Sequence, residues 1–173
     1  CFNRRHLEQV LADEVERARR FGGRFAVIFI DMDNLKDVNT RHGHAAGSRV
    51  LYEASVRIPR SIRSIDRLFR YGGDEFVVLL PGTGIEGGSE VAERIRAELA
   101  HAPFDVASGA RVALTASFGV SGWPAQGKTG RKVVEAADAA MRRIKEGGKN
   151  GIEVARGSTE GLETGDQPES SRG

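Results

Sequence analysis

The segment Arg70-Tyr-Gly-Gly-Asp-Glu-Phe-Val-Val-Leu-Leu80, RYGGDEFVVLL, decides how the rest of the chain is read. Gly72 and Gly73 are followed by two adjacent carboxylates, Asp74 and Glu75. "DRLFRY" (66–71) precedes them and "EFVVLLP" (75–81) follows, and both are strand-like, so the segment predicts a β-hairpin with the glycines in its turn. An ordinary exposed turn has no need of two acids directly before a buried strand. Their partner must come from elsewhere in the chain.

The counterpart is "FAVIFIDMD" (25–33), an apolar run too short for a helix and rich in Phe, Ile and Val. It reads as a central strand, buried on both faces, that ends in Asp31 and Asp33. "NLKDVNTRHG" (34–43) then predicts a short helix with Asp33 as its N-cap. Helices are also predicted over 3–22, 46–62 (ending near Pro59), 84–102 and 131–148, and further strands over 111–123 and 150–156. The order β-α-α-β-β-α-β-α-β embeds a β-α-β-β-α-β pattern. The predicted fold is therefore α+β, a palm-type, ferredoxin-like central antiparallel sheet with helices packed around it. In such a sheet the first strand lies beside the central hairpin, so Asp31 can converge on Asp74 and Glu75. Clustered carboxylates repel, and a hard divalent cation such as Mg²⁺, or Mn²⁺ in its place, explains them best. The plainer reading is that Asp31 and Asp33 terminate a strand and Asp74 decorates a turn.

Composition narrows the remaining classes. The chain has 173 residues, a formal net charge of +2 and interspersed acids and bases, so no stripe for a nucleic acid stands out. The single Cys, Cys1, leaves no internal disulfide and fits a cytoplasmic setting. No apolar run approaches membrane-spanning length, so no membrane contact is expected. Residues 1–155 read as one domain. Residues 156–173, rich in Gly, Ser, Glu and Pro, read as a disordered tail.

The phosphate side follows from the acidic strand end. Asn34, Leu35 and Lys36 open a helix there, and helix N-termini offer backbone N–H groups to anions. Lys145 and Lys149, on the last helix and its exit, either reach the same phosphates or form a solvated face. Spacing alone favours the solvated face.

"NRRHLEQVL", "DMDNLKDVNTRHGHAAGS", "RYGGDEF", "LTASFGV" and "ADAAMRRIKEGGKNGI" stand in the order and spacing of the GGDEF family, and the chain resembles it from Asn3 to about Val154. That family comprises bacterial diguanylate cyclases. The resemblance implies that Asp31, Asp74 and the Met32 carbonyl hold Mg²⁺, and that Asp74 is the candidate base, with Glu75 as a second participant. It implies that Lys36 stabilises phosphate charge and that Lys145 and Lys149 bind terminal phosphates. Asn39 and His44 would contact the nucleotide, His44 having an alternative as a packed helix-start residue. Gly72 and Gly73 would let the backbone approach the substrate, for conformation and for lack of bulk. Arg63-x-x-Asp66, with Arg94, matches the family's inhibitory site for cyclic dinucleotide product; a lone R-x-x-D is otherwise a surface ion pair. Catalysis would need a homodimer, and the missing start implies an upstream sensor and dimerisation region.

One position departs from the family pattern in an informative way. "GHAAGS" puts Ser48 where the family carries Asp, whose carboxylate accepts from guanine N1–H and N2–H and repels adenine. Ser weakens the first effect and removes the second, worth on the order of 1–3 kcal/mol of discrimination. Ser48 thus resembles the hybrid branch of the family, which makes cyclic GMP-AMP from GTP and ATP as well as cyclic di-GMP. The alternatives are a strict diguanylate cyclase and a degenerate module that binds cyclic dinucleotide through Arg63 and Asp66 without turnover. Thr40 and Arg142, where Asp and Tyr are frequent, fit drift as readily.

Overall fold

A computed structural model describes residues 2–106 and 109–157. Cys1 and all but the first two residues of the expected tail lie outside the described residues.

The central strand forms as its composition requires. β2 (Phe25–Met32) is flanked by β4 (Glu75–Pro81) and β7 (Ala116–Trp123), both antiparallel to it. β3 (Arg67–Arg70) completes the hairpin with β4. With β1 (Phe2–Asn3) and β8 (Ile152–Val154) at the edges, the six-stranded order is β1-β3-β4-β2-β7-β8. The antiparallel expectation holds for the four central strands only, because β1 pairs parallel with β3 and β8 parallel with β7. β8 returns through helix α5 (Gly130–Gly147), the crossover that a parallel neighbour requires.

Alternate residues of β2 feed two cores. Ala26, Ile28 and Ile30 face the cluster containing Val50 and Ala54 of α3 (His44–Arg57) and Ile95 and Leu99 of α4 (Ile85–His101). Phe25, Val27 and Phe29 face Leu7, Leu11 and Val15 of α1 (Arg4–Phe21) and Val133, Ala137 and Met141 of α5. Helix α5 lies directly on β7, where a Cβ added at Gly119 would sit 1.9 Å from the Ala137 carbonyl oxygen.

Three local expectations are corrected. Asp33 does not cap α2 (Leu35–His42): Asn34 holds that position with φ 57°, in the left-handed region, and makes no side-chain cap bond. Asp33 is instead fully buried, for reasons given below. The strand predicted over 111–123 is broken; β6 (Arg111–Val112) pairs with β5 (Phe104–Asp105) in a separate ribbon, and β7 starts after Thr115. Thr115 sits at the break because its carbonyl accepts from Asp33 N (2.8 Å) rather than continuing the ribbon. The third helix begins earlier than predicted and ends at Arg57, giving way to a 3-10 turn, Ile58–Ser61, that holds Pro59.

Candidate active site

The pairing of β2 with β4 places Asp31 opposite Glu75. Beyond the last pair, Met32 N donates to the Asp74 carbonyl at 3.2 Å, which ties the acidic turn to the acidic strand end. The turn is held from outside by Arg70, whose guanidinium donates to the Gly73 carbonyl (2.5 Å) and the Gly72 carbonyl (3.3 Å). Neither glycine has a positive φ, so the expected conformational need for them is absent here. Lack of bulk is what remains: a Cβ at Gly72 would lie 2.2 Å from Glu75 Oε2, and Gly73 faces open space.

Burial pushes the Asp31 carboxyl above the ordinary carboxylate range; Asp74 and Asp33 add repulsion, while Lys145 pulls the other way. Burial does the same to Glu75, reinforced by Asp31, Asp138 and Asp74 and opposed by Arg142. The cluster is short of positive charge. Among the described residues no three His, Cys, Asp or Glu side chains form a metal cluster, but Mg²⁺ asks for only one or two carboxylates, with further oxygens supplied by water and phosphate. Asp31, Asp74 and the Met32 carbonyl form an all-oxygen set of that kind, and an ammonium already stands against it. Lys145 Nζ donates to Asp31 Oδ1 and lies 3.4 Å from the Met32 oxygen. The residues fit a hard divalent cation.

Lys145 is therefore no member of a solvated face. Its side chain is 26% exposed and pairs with a residue 114 positions away. Lys149 Nζ donates to Asn34 Oδ1 at 2.5 Å, so both lysines converge on the entrance of α2. Leu35 is buried there, while Lys36 is exposed on the first turn.

Asp33 explains how the lysine segment is held. Its carboxylate accepts from Thr115 Oγ1 (2.7 Å), Ser117 Oγ (2.8 Å) and Asn150 N (3.0 Å). One buried side chain thus joins the end of β2, the start of β7 and the turn after α5, where Lys149 and Asn150 both have positive φ.

At the other end of α2, Asn39 packs against α3. A Cβ at Gly47 would come within 2.0 Å of Asn39 Oδ1, a buried oxygen with no partner among the described residues. His44 and Ser48, one turn apart on α3, are both exposed, which removes the packed reading of His44. Near the start of β3, Arg63 forms a two-bond fork with Asp66, Nη2 to Oδ1 at 2.9 Å and Nε to Oδ2 at 3.2 Å, and donates to Thr83 Oγ1 at 2.7 Å. Arg94 reaches the same segment through the Ser61 carbonyl at 3.3 Å.

Residues 1–151 match the family described as diguanylate cyclase, GGDEF domain. The chain belongs to the GGDEF family. It is 38% identical over 153 residues to the diguanylate cyclase DgcP of Pseudomonas aeruginosa, a match covering 88% of this chain and 22% of DgcP. Among solved structures, the GGDEF domain of YfiN (TpbB) from P. aeruginosa is similar with a TM-score of 0.84 and 33% identity, covering 89% of this chain and 96% of that one. The GGDEF domain of DgcB from Caulobacter crescentus, solved in complex with c-di-GMP, gives a TM-score of 0.83 at 28% identity over 89% of this chain and 88% of that one. The chain spans between 22% and 42% of the length of these curated relatives and others such as YhcK of Bacillus subtilis.

Within this GGDEF domain, sequence reasoning missed the hub at Asp33 with Thr115, Ser117 and Asn150, and the Arg70 clamp on the turn. A signal for the hub was present. Thr115 and Ser117 are two apart, so their hydroxyls share one face of an extended segment. The acids do not line the groove of about 620 Å³ that lies between α1 and α5 over Leu7, Leu11, Tyr71 and Val134.

Proposed function

We propose that this GGDEF domain is a dinucleotide cyclase that condenses two nucleoside triphosphates into a 3′,3′-cyclic dinucleotide. The observation that carries this reading is the meeting of Asp31, Asp74 and Glu75 beside Lys145, Lys149 and the start of α2. Two domains face each other as a homodimer, each holding one nucleotide. The 3′-oxygen of one nucleotide attacks the α-phosphorus of the other, the bond to the pyrophosphate oxygen breaks, and the hydroxyl proton leaves to a carboxylate. Two such steps close the ring and release two pyrophosphates. Asp31, Asp74 and the Met32 carbonyl would hold Mg²⁺, which when bound offsets phosphate charge. Asp74 then serves poorly as a base, since metal binding lowers basicity. Glu75, held above the ordinary carboxylate range, is the better acceptor of the proton. Lys36, Lys145 and Lys149 stabilise the phosphates, with the first backbone N–H groups of α2.

Asn39, His44 and Ser48 form the base end. With Ser at 48, guanine keeps its place without a carboxylate and adenine is not repelled, so GTP and ATP both enter and cyclic GMP-AMP accompanies cyclic di-GMP. Arg63, Asp66 and Arg94 are a product site at which the Arg63 fork leaves Asp66 for a phosphate or a guanine edge. The DgcB domain's complex with c-di-GMP supports a cyclic dinucleotide as ligand. A cytoplasmic domain acting under an upstream sensor fits this chemistry.

The test is product analysis. A dimerised form is incubated with equal GTP, ATP and Mg²⁺, and cyclic dinucleotides are separated by mass, with Asp74→Ala as control. Mixed product absent from the control, shifting about tenfold or more toward cyclic di-GMP in Ser48→Asp, is expected. Cyclic di-GMP alone would remove the role given to Ser48, and no product from the wild-type chain would remove the cyclase.

A further inference from the structure

Both lysines of the phosphate cradle are spent on the site's own oxygens. Lys145 Nζ bonds Asp31 Oδ1 and lies 3.4 Å from the Met32 carbonyl. These are two of the three oxygens that fit a divalent cation. The pair is largely removed from solvent, with side-chain exposures of 26% for Lys145 and 13% for Asp31, so a dication arriving alone meets a fixed positive charge in a medium that screens it weakly. Lys149 Nζ likewise rests on Asn34 Oδ1 at the mouth of α2. Asp74 and Glu75 have no ion pair among the described residues.

The geometry points to Lys145 as the residue that makes cation uptake conditional on a phosphate chain. Without nucleotide, its ammonium stands in for the cation at Asp31 and Met32 and excludes the bare ion. A triphosphate gives Lys145 and Lys149 new acceptors, so both release Asp31, the Met32 carbonyl and Asn34. The ion then enters with the phosphates, and the site takes a metal–nucleotide complex rather than free metal. The exchange keeps Asp31 and Lys145, the two largely buried charges, partnered before and after binding, as a buried pair requires. This inference rests on the nucleotide site proposed above and adds the order in which its ligands are accepted.

The test uses Mn²⁺ as probe and reads free ion by electron paramagnetic resonance, without turnover. Bare Mn²⁺ is titrated into wild type, Lys145→Met, Lys145→Gln and the charge-keeping Lys145→Arg, each checked by circular dichroism. Met and Gln are expected to bind bare Mn²⁺ at least tenfold more tightly than wild type, and Arg to stay as weak as wild type. Adding Asp31→Asn to Lys145→Met is expected to abolish the gain. Equal affinity in wild type and in whichever of Met and Gln is folded would overturn the proposal, as would a gain that survives loss of Asp31. In parallel, wild type is titrated with Mn²⁺ and a GTP analogue carrying a methylene bridge between its α- and β-phosphates. Saturable uptake of that complex upholds the nucleotide site whatever bare Mn²⁺ does; failure to bind it refutes that site and this inference together.

Discussion

Asp33 is the residue with most at stake outside the reacting groups. It is fully buried and, among the described residues, has no cationic partner, only two hydroxyls and one backbone N–H. Buried polar groups are costly to orphan, and removing this carboxylate would strand three donors at once. Asp33→Ala is expected to lower unfolding stability by about 2–4 kcal/mol in urea denaturation, with Asp33→Asn closer to wild type because its amide oxygen still accepts. Equal midpoints for Ala and wild type would refute the hub. Because Asn150 follows Lys149, the same change should also weaken binding of the non-hydrolysable GTP analogue.

Helix α5 carries Lys145 and is seated on β7 by a close approach at Gly119. At Gly119 any Cβ would meet the Ala137 carbonyl oxygen at 1.9 Å and Met141 N at 2.5 Å, both backbone atoms that cannot rotate away. Gly119→Ala therefore forces the helix off β7, at the upper end of overpacking costs, about 3 kcal/mol. Its denaturation midpoint should fall well below wild type, and nucleotide affinity should fall with it as Lys145 moves from Asp31. A contrasting expectation applies to Gly47→Ala on α3, where the three atoms nearest a Cβ at Gly47 all belong to the side-chain amide of Asn39, the first at 2.0 Å. There the amide swings aside, so stability changes little while affinity for the nucleotide base drops, as a calorimetric titration would read.

For the molecule as a whole, the acid cluster sets a pH dependence. Asp31 and Glu75 both have pKa values raised above the ordinary range, chiefly by burial. The folded chain thus holds these protons more tightly than the unfolded chain does. Their contribution to stability is full below the unfolded carboxylate range, near pH 4, and is lost as pH rises through the raised values. At neutral pH the cluster is a standing cost. Glu75→Gln is expected to raise the melting temperature at pH 7 by a few degrees, with the gain shrinking toward pH 4, while lowering turnover. A lower melting temperature at pH 7 would contradict the electrostatic account. Cation with nucleotide should recover the same cost in the wild-type chain, adding about 2.7 kcal/mol at a hundredfold excess over Kd.

The sequence by itself determined the helices and the strands β2, β3 and β4, the convergence of Asp31 on the Gly72–Glu75 turn and the opening of α2 beside them. These follow from local pattern: an apolar run too short for a helix, two glycines between strand-like segments, and one connection order that puts β2 beside β4. The blocks shared with the GGDEF family also carried Lys145 and Lys149 into the site, where spacing alone had left them on a solvated face. Only the tertiary structure decided the rest. It showed Asp33 buried rather than capping, since its partners lie 82, 84 and 117 positions away and no window of sequence contains them. It turned the sheet edges parallel, removed the conformational need for Gly72 and Gly73, and paired Lys145 with Asp31. Local pattern reads the preferences of neighbouring residues, whereas a buried charge is settled by whichever donors the finished fold brings to it.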